Sequence, residues 1–212
     1  MTSPKQNDRT LFYRFARTVL KVFSFLFYPC SLQGIENANL QAPFIIISNH
    51  QSMMDPVLLA VKLDRHVIHF IGKRELTSFK PLKWIVEHLH MIAVSRHMSD
   101  LSAMRAAGAV LKNGQVLGIF PEGSRNQGPS MEHLETGVTV LLQRHRVPLL
   151  PVYIAGRPRP FRRVKMVVLP PLRYDDLLGE GINMEEGERL GQRIKALYQE
   201  MDIKYNKNTI SA

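Results

Sequence analysis

The chain of 212 residues is long enough for one domain with a substantial core, and its 45% hydrophobic and 22% charged residues are ordinary globular values. Cys30 is the sole cysteine, which excludes an intrachain disulfide and a thiolate metal cluster. With 28 Lys+Arg against 18 Asp+Glu the net charge is +10, a field that favours anionic partners such as nucleic acid, anionic lipid or a phosphate-bearing substrate.

The first nine residues are polar and expected to fray. From Leu11 to Tyr28 the apolar residues Leu11, Phe15, Val19 with Leu20, Phe23 and Leu26 recur at helical spacing, while Arg14, Arg17 and Lys21 share another face. A transmembrane helix needs about 20 mostly apolar residues, and three cations inside this segment argue against a span. No small-residue cleavage site follows the apolar part, so it does not read as a good signal peptide either. The segment reads as an interfacial helix, with its apolar face in the acyl boundary and its basic face towards anionic headgroups. The alternative is a helix packed on the protein's own core.

A first short strand is expected over 31–36. The apolar run Phe44-Ile45-Ile46-Ile47 then marks a buried strand. It opens into Asn49-His50-Gln51-Ser52-Met53-Met54-Asp55-Pro56. A histidine leaving such a strand, with a carboxylate five positions on, can form a general-base pair, in which the Asp fixes the tautomer and stabilises the imidazolium. The same residues also read as a helix start, with Asp55 as N-cap and Pro56 at the first helical position, leading a helix to about Leu63.

Downstream, a strand is expected over 66–71, where His66 and His69 would point to opposite faces and so share no metal. A short helix follows over 81–89 and a strand over 91–94; Glu87, His88 and His90 lack zinc-site partners at useful spacing. Ser99 and Asp100 can cap a helix that Asn113-Gly114 ends. The strand-like run from Val116 then meets Phe120-Pro121-Glu122-Gly123-Ser124-Arg125 and a polar loop to Ser130. A helix over 131–144, strands over 147–154 and 164–169, and a final helix over 184–205 complete the pattern, the last with Leu190, Ile194, Leu197 and Met201 on one stripe. Basic residues cluster again at Arg157, Arg159, Arg162, Arg163 and Lys165, without the interleaved aromatics of a base-stacking surface, which argues against nucleic acid. Alternating strands and helices imply a single-domain α/β fold with a mixed or largely parallel sheet flanked by helices. His50 and Glu122 both lie just past strand ends, where open α/β sheets carry their sites.

The pairing of Asn49-His50-Gln51-Ser52-x-x-Asp55-Pro56 with Phe120-Pro121-Glu122-Gly123-Ser124-Arg125 resembles the glycerolipid acyltransferase family, which includes the lysophosphatidic acid acyltransferases. Gly72-Lys73-Arg74-Glu75-Leu76 followed by Pro81 is similar to that family's second motif, and Val147-Pro148-Leu149-Leu150-Pro151-Val152 to its fourth. The likeness covers about residues 32 to 170. Together with the periodicity of the first segment, it divides the chain into an amphipathic N-terminal membrane-surface helix over 1–30, read from the residues themselves, and an acyltransferase domain over 31–212, which the resemblance implies. It further implies transfer of a fatty acyl group from acyl-CoA or acyl-carrier protein to the free hydroxyl of lysophosphatidic acid, forming phosphatidic acid at the cytoplasmic face of a membrane.

By that resemblance His50 is the general base and Asp55 its orienting partner. Glu122, Gly123, Ser124, Arg125, Lys73, Arg74 and Arg96 bind the acceptor, with the Arg125 fork and nearby backbone N–H groups on its phosphate. The implied partners are an anionic lipid surface, a lysolipid and a thioester donor, with neither metal nor cofactor. Three positions depart from the family pattern: Ser124 replaces the usual Thr and keeps the hydroxyl, Leu82-Lys83-Trp84 lacks a customary glycine, and Ser95 replaces an Asp before Arg96. Three alternatives stay open: the same chemistry on another acceptor such as a lyso-ornithine lipid, a non-catalytic protein of anionic membranes, or a lipid esterase. The esterase would use a serine nucleophile, and the chain has no Gly-x-Ser-x-Gly elbow.

Overall fold

A computed structural model describes residues 11–73, 92–94, 100–126, 128–173 and 184–206. Helix α1 (Leu11–Phe27) leads into strand β1 (Cys30–Gln33), a 3-10 turn (Ile35–Ala38) and β2 (Phe44–Ser48). Next come α2 (Asp55–Lys62), β3 (Ile68–Lys73), β4 (Ile92–Val94), α3 (Asp100–Lys112) and β5 (Val116–Ile119). The remaining described elements are α4 (Gly137–His145), β6 (Leu149–Ala155), β7 (Val164–Val168) and α5 (Met184–Asn206).

The described strands form one seven-stranded sheet in the order β1-β7-β6-β2-β5-β3-β4. β2 lies between β5 and β6 and is parallel to both, with Ile47 in register with Ile119 on one side and Pro151 on the other. Among the described strands only the β6–β7 pair is antiparallel, so the sheet is mixed and largely parallel, as the pattern of elements implies. All five β2 residues are buried. Because side chains alternate along a strand, Ile45 and Ile47 pack among α3, α4 and α5 on one face, and Phe44 and Ile46 pack with α2 on the other. Each such side chain contributes about 1.5–3 kcal/mol on burial. The central strand is therefore fixed from both faces, and the loop leaving it starts from a rigid origin.

Several expected boundaries shift for identifiable reasons. The helix expected from residue 131 begins only at Gly137. Met131 is left-handed at φ 59°, and its N–H is committed to the Glu122 carboxylate at 2.9 Å. The first strand ends at Gln33, before Gly34 at φ 73° turns the chain into the 3-10 segment. α3 does end at Asn113-Gly114: Gln115 N–H donates to Val110 O and Gly114 N–H to Leu111 O, the Schellman pattern, with Gly114 at φ 71°. On α5 the buried stripe is Leu190, Ile194, Tyr198 and Met201, so Tyr198 takes the place expected of Leu197. The short helix expected over 81–89 lies outside the described residues.

α1 is a helix as its periodicity predicts, but its faces are assigned differently. Leu20 and Ser24 are buried against the body. On the same side the Arg17 guanidinium donates to Asp64 O at 2.9 Å and Lys21 Nζ lies 3.6 Å from Asp64 Oδ2. These two cations therefore flank the body-facing seam, whereas Phe15, Val22, Phe25 and Leu26 face outward and are exposed. No helix among the described residues is long and apolar enough to cross a membrane.

Candidate active site

The carboxyl ends of β2 and β5 lie side by side, and the loops leaving them meet. Asn49, the first residue past β2, is buried and extends the sheet with its side chain: its Nδ2 donates to Ile154 O at 2.9 Å and its Oδ1 accepts from Ile154 N–H at 2.8 Å. This paired bond fixes the departure direction of His50. The His50 ring then stacks on Phe120 at 4.3 Å between centroids, and Phe120 stacks in turn on Phe70.

His50 Nδ1 lies 2.9 Å from Asp55 Oδ2. The Asp55 side chain is fully buried, and the same oxygen accepts from Gln51 N–H and Ser52 N–H at 2.6 Å each. Three N–H groups converge on one carboxylate oxygen, which is how a buried charge is kept at acceptable cost. The expectation that Asp55 caps its helix is corrected by this arrangement. Asp55 is the first residue of α2, after Met54 at the N-cap and before Pro56; its Oδ2 turns back into the His50 loop and its Oδ1 has no partner among the described residues, so neither oxygen caps the helix. A neutral imidazole that donates Nδ1–H to a carboxylate carries its lone pair on Nε2. The pair is thus set as a base directed away from Asp55, and the ring keeps partial access to solvent.

Glu122, expected among the substrate-binding residues, is buried and occupied within the protein. Its Oε2 accepts from His50 N–H at 2.8 Å, and its Oε1 accepts from Met131 N–H at 2.9 Å and from Asn126 Nδ2 at 3.4 Å. Asn126 N–H adds a bond to His50 O at 2.8 Å. Glu122 therefore ties the two loops to each other. Replacing it by Gln turns an NH₂ towards one of the two backbone donors. Glu122→Gln should therefore lose about 1–3 kcal/mol of stability, read as a lower denaturant midpoint; an unchanged midpoint would contradict this role.

Beyond Glu122 the loop turns outward. Gly123 has φ 66°, a conformation that favours glycine, and Gly123, Ser124 and Arg125 are all exposed at its tip. The structure thus brings His50, Asp55 and the 122–125 loop together. Lys73 ends β3 at the same carboxyl edge of the sheet, paired with Val94; Arg74 and Arg96 lie outside the described residues.

A second layer, not anticipated from the sequence, supports both loops. Asp202 of α5 accepts from Ser130 N–H at 2.6 Å, Ser130 Oγ at 2.8 Å and the Tyr153 hydroxyl at 2.6 Å, which pins the far end of the Glu122 loop. The Tyr198 hydroxyl lies 2.8 Å from the carbonyl oxygen of Ile47, three residues before His50, and 3.1 Å from Val152 O on β6. Burial pushes the Tyr198 hydroxyl well above its ordinary value, so it stays protonated and remains a donor. Asn49 adjoins the motif histidine, yet its partner is 105 positions away. Ser130 and Asp202 are 72 apart, and no local pattern links them.

A protein-family model described as Acyltransferase matches residues 30–155, which contain every site element above except Asp202 and Tyr198. The chain is 26% identical over 200 residues to a Bacillus subtilis 1-acyl-sn-glycerol-3-phosphate acyltransferase, covering 92% of this chain and 98% of the relative. It is 28% identical over 177 residues to the alpha form of the same enzyme from Ovis aries, covering 77% of this chain and 59% of that longer protein. Among solved structures, the Thermotoga maritima 1-acyl-sn-glycerophosphate acyltransferase superposes with a TM-score of 0.67 at 25% identity, over 94% of this chain and 85% of that one.

Proposed function

The chain belongs to the acyltransferase family, and on that premise we propose that it transfers a fatty acyl group from a thioester donor to the free hydroxyl of lysophosphatidic acid, forming phosphatidic acid. The observation that carries this reading is the His50–Asp55 pair at 2.9 Å beside an exposed Gly123-Ser124-Arg125 tip. The substrate named for the relatives from Bacillus subtilis and Ovis aries supports the choice of acceptor.

An alcohol is a poor nucleophile at neutral pH until its proton is removed during attack. In the proposed reaction His50 Nε2 takes that proton as the acceptor oxygen attacks the thioester carbonyl. The new C–O bond forms, the C–S bond breaks, and the imidazolium returns its proton to the departing thiolate. Asp55 stabilises the imidazolium while it exists. A positioned base of this kind contributes typically about 10²–10⁴-fold. No acyl-enzyme forms, which separates this route from an esterase. Arg125 supplies a planar fork for the acceptor's phosphate, and backbone N–H groups near Gly123 add donors. The donor is a thioester of coenzyme A or of acyl-carrier protein, and the reaction runs at the cytoplasmic face of a membrane, where α1 turns its exposed phenylalanines to the lipid.

Acceptor recognition tests the reading. Arg125→Ala should raise the apparent KM for lysophosphatidic acid by roughly ten- to a hundred-fold, the range of a charge-assisted bond, with a much smaller effect on the donor's KM. A neutral lysolipid acceptor such as a monoacylglycerol, which carries neither phosphate nor carboxylate, should be insensitive to the substitution. Equal loss towards both acceptors would remove phosphate recognition from Arg125.

A further inference from the structure

The connection between β6 and β7 carries Arg157, Arg159, Arg162 and Arg163, all exposed. Arg162 N–H donates to Arg159 O at 3.2 Å and closes a turn with Pro160 and Phe161 at its centre. Phe161 has φ 63°. A proline followed by a left-handed residue is the type II pattern, in which the second central position favours glycine. A bulky aromatic there is strained, and this ring is also 72% exposed to solvent. An apolar ring held both strained and wet is not accounted for by folding alone.

The turn is fastened to the end of α1. Phe161 N–H donates to Phe27 O at 2.6 Å, and the two rings lie 5.5 Å apart between centroids. The exposed Phe15, Val22, Phe25 and Leu26 of α1 therefore continue towards Phe161 and its flanking arginines. At its base, Pro158 O accepts from Ser52 Oγ at 3.5 Å, so the same connection abuts the loop that carries His50.

We propose that the Arg159–Arg162 turn and the outer face of α1 form one membrane-docking surface: Phe161 enters the headgroup boundary of a bilayer containing anionic phospholipid, and the arginines hold lipid phosphates. This extends the membrane-surface acyltransferase reading and rests on it. A ring without polar atoms, ringed by guanidinium groups on a chain of net charge +10, complements an apolar layer beneath anionic headgroups. A nucleic acid would satisfy the charge and leave the apolar face of α1 bare.

The test uses the full chain with phosphatidylcholine vesicles, with and without phosphatidylglycerol, in flotation assays. Phe161→Gly removes the ring and suits the left-handed backbone. Its melting temperature should hold or rise, and its vesicle affinity should fall by about tenfold or more. Its turnover on detergent-dispersed lysophosphatidic acid should be retained. The double variant Arg159→Gln/Arg162→Gln should lose about tenfold in affinity for anionic vesicles and little for neutral ones. Undiminished vesicle binding by Phe161→Gly overturns the proposal, as does a wild-type dimer that the substitution dissociates, since a second copy then covers the ring. Vesicle binding that weakens as expected in a protein without turnover leaves the docking surface standing and removes the acyltransferase reading instead.

Discussion

His50→Ala should lower turnover by about 10²–10⁴-fold, the usual contribution of a positioned general base, while the fold survives. The ring is partly exposed and makes one stack, on Phe120, besides its bond to Asp55, and the backbone contacts of residue 50 are independent of its side chain. His50 N–H still reaches Glu122 Oε2, and Asn126 N–H still reaches His50 O. The loss should therefore fall on the chemical step, with acceptor KM little changed. Single-turnover kinetics on a variant whose denaturation curve matches wild type would measure this, and near wild-type turnover would remove His50 as the base.

Asp55→Asn is expected to have the next largest effect, and it separates orientation from charge. The Asn oxygen can take the Oδ2 position and keep the bonds from Gln51 N–H, Ser52 N–H and the imidazole. Its NH₂ then occupies the Oδ1 position, which is buried and has no partner among the described residues. An unsatisfied buried donor costs about 1–3 kcal/mol, so stability should fall moderately. Turnover should fall by about 10²-fold or more, because a neutral amide no longer stabilises the imidazolium. Asp55→Ala orphans both loop N–H groups and should be the less stable variant. If Asp55→Asn lost stability and kept turnover, Asp55 would be a loop staple alone.

How far the sequence exposes this site depends on how local each contact is. His50 and Asp55 are five positions apart on a strand-to-helix loop, and that spacing is enough to anticipate a pair at 2.9 Å. The apolar runs of β2 and β5 likewise place both loops at one edge of a parallel sheet. The N-cap expectation for Asp55 failed because one carboxylate has a single orientation, and the loop N–H groups behind it outcompeted those of its own helix. α4 starts later than its pattern suggests for a related reason: Met131 gives its N–H to Glu122 rather than to a helical ladder. Glu122 sits in a motif loop and looks available for substrate, yet its carboxylate is taken by His50 N–H, 72 positions away on another loop, and by Met131 and Asn126 of its own loop. Tyr198 and Asp202 look like ordinary helix residues until α5 packs against the sheet, and only that packing gives their oxygens partners.

The most direct measurement incubates the purified chain with lysophosphatidic acid and a long-chain acyl thioester, on coenzyme A and separately on acyl-carrier protein, and follows products and intact protein by mass spectrometry. The account predicts phosphatidic acid formed in step with released thiol, with no acyl group on the protein during turnover. Phosphatidic acid failing to form from either donor, or a protein-bound acyl group that forms and decays at the rate of turnover, would contradict it.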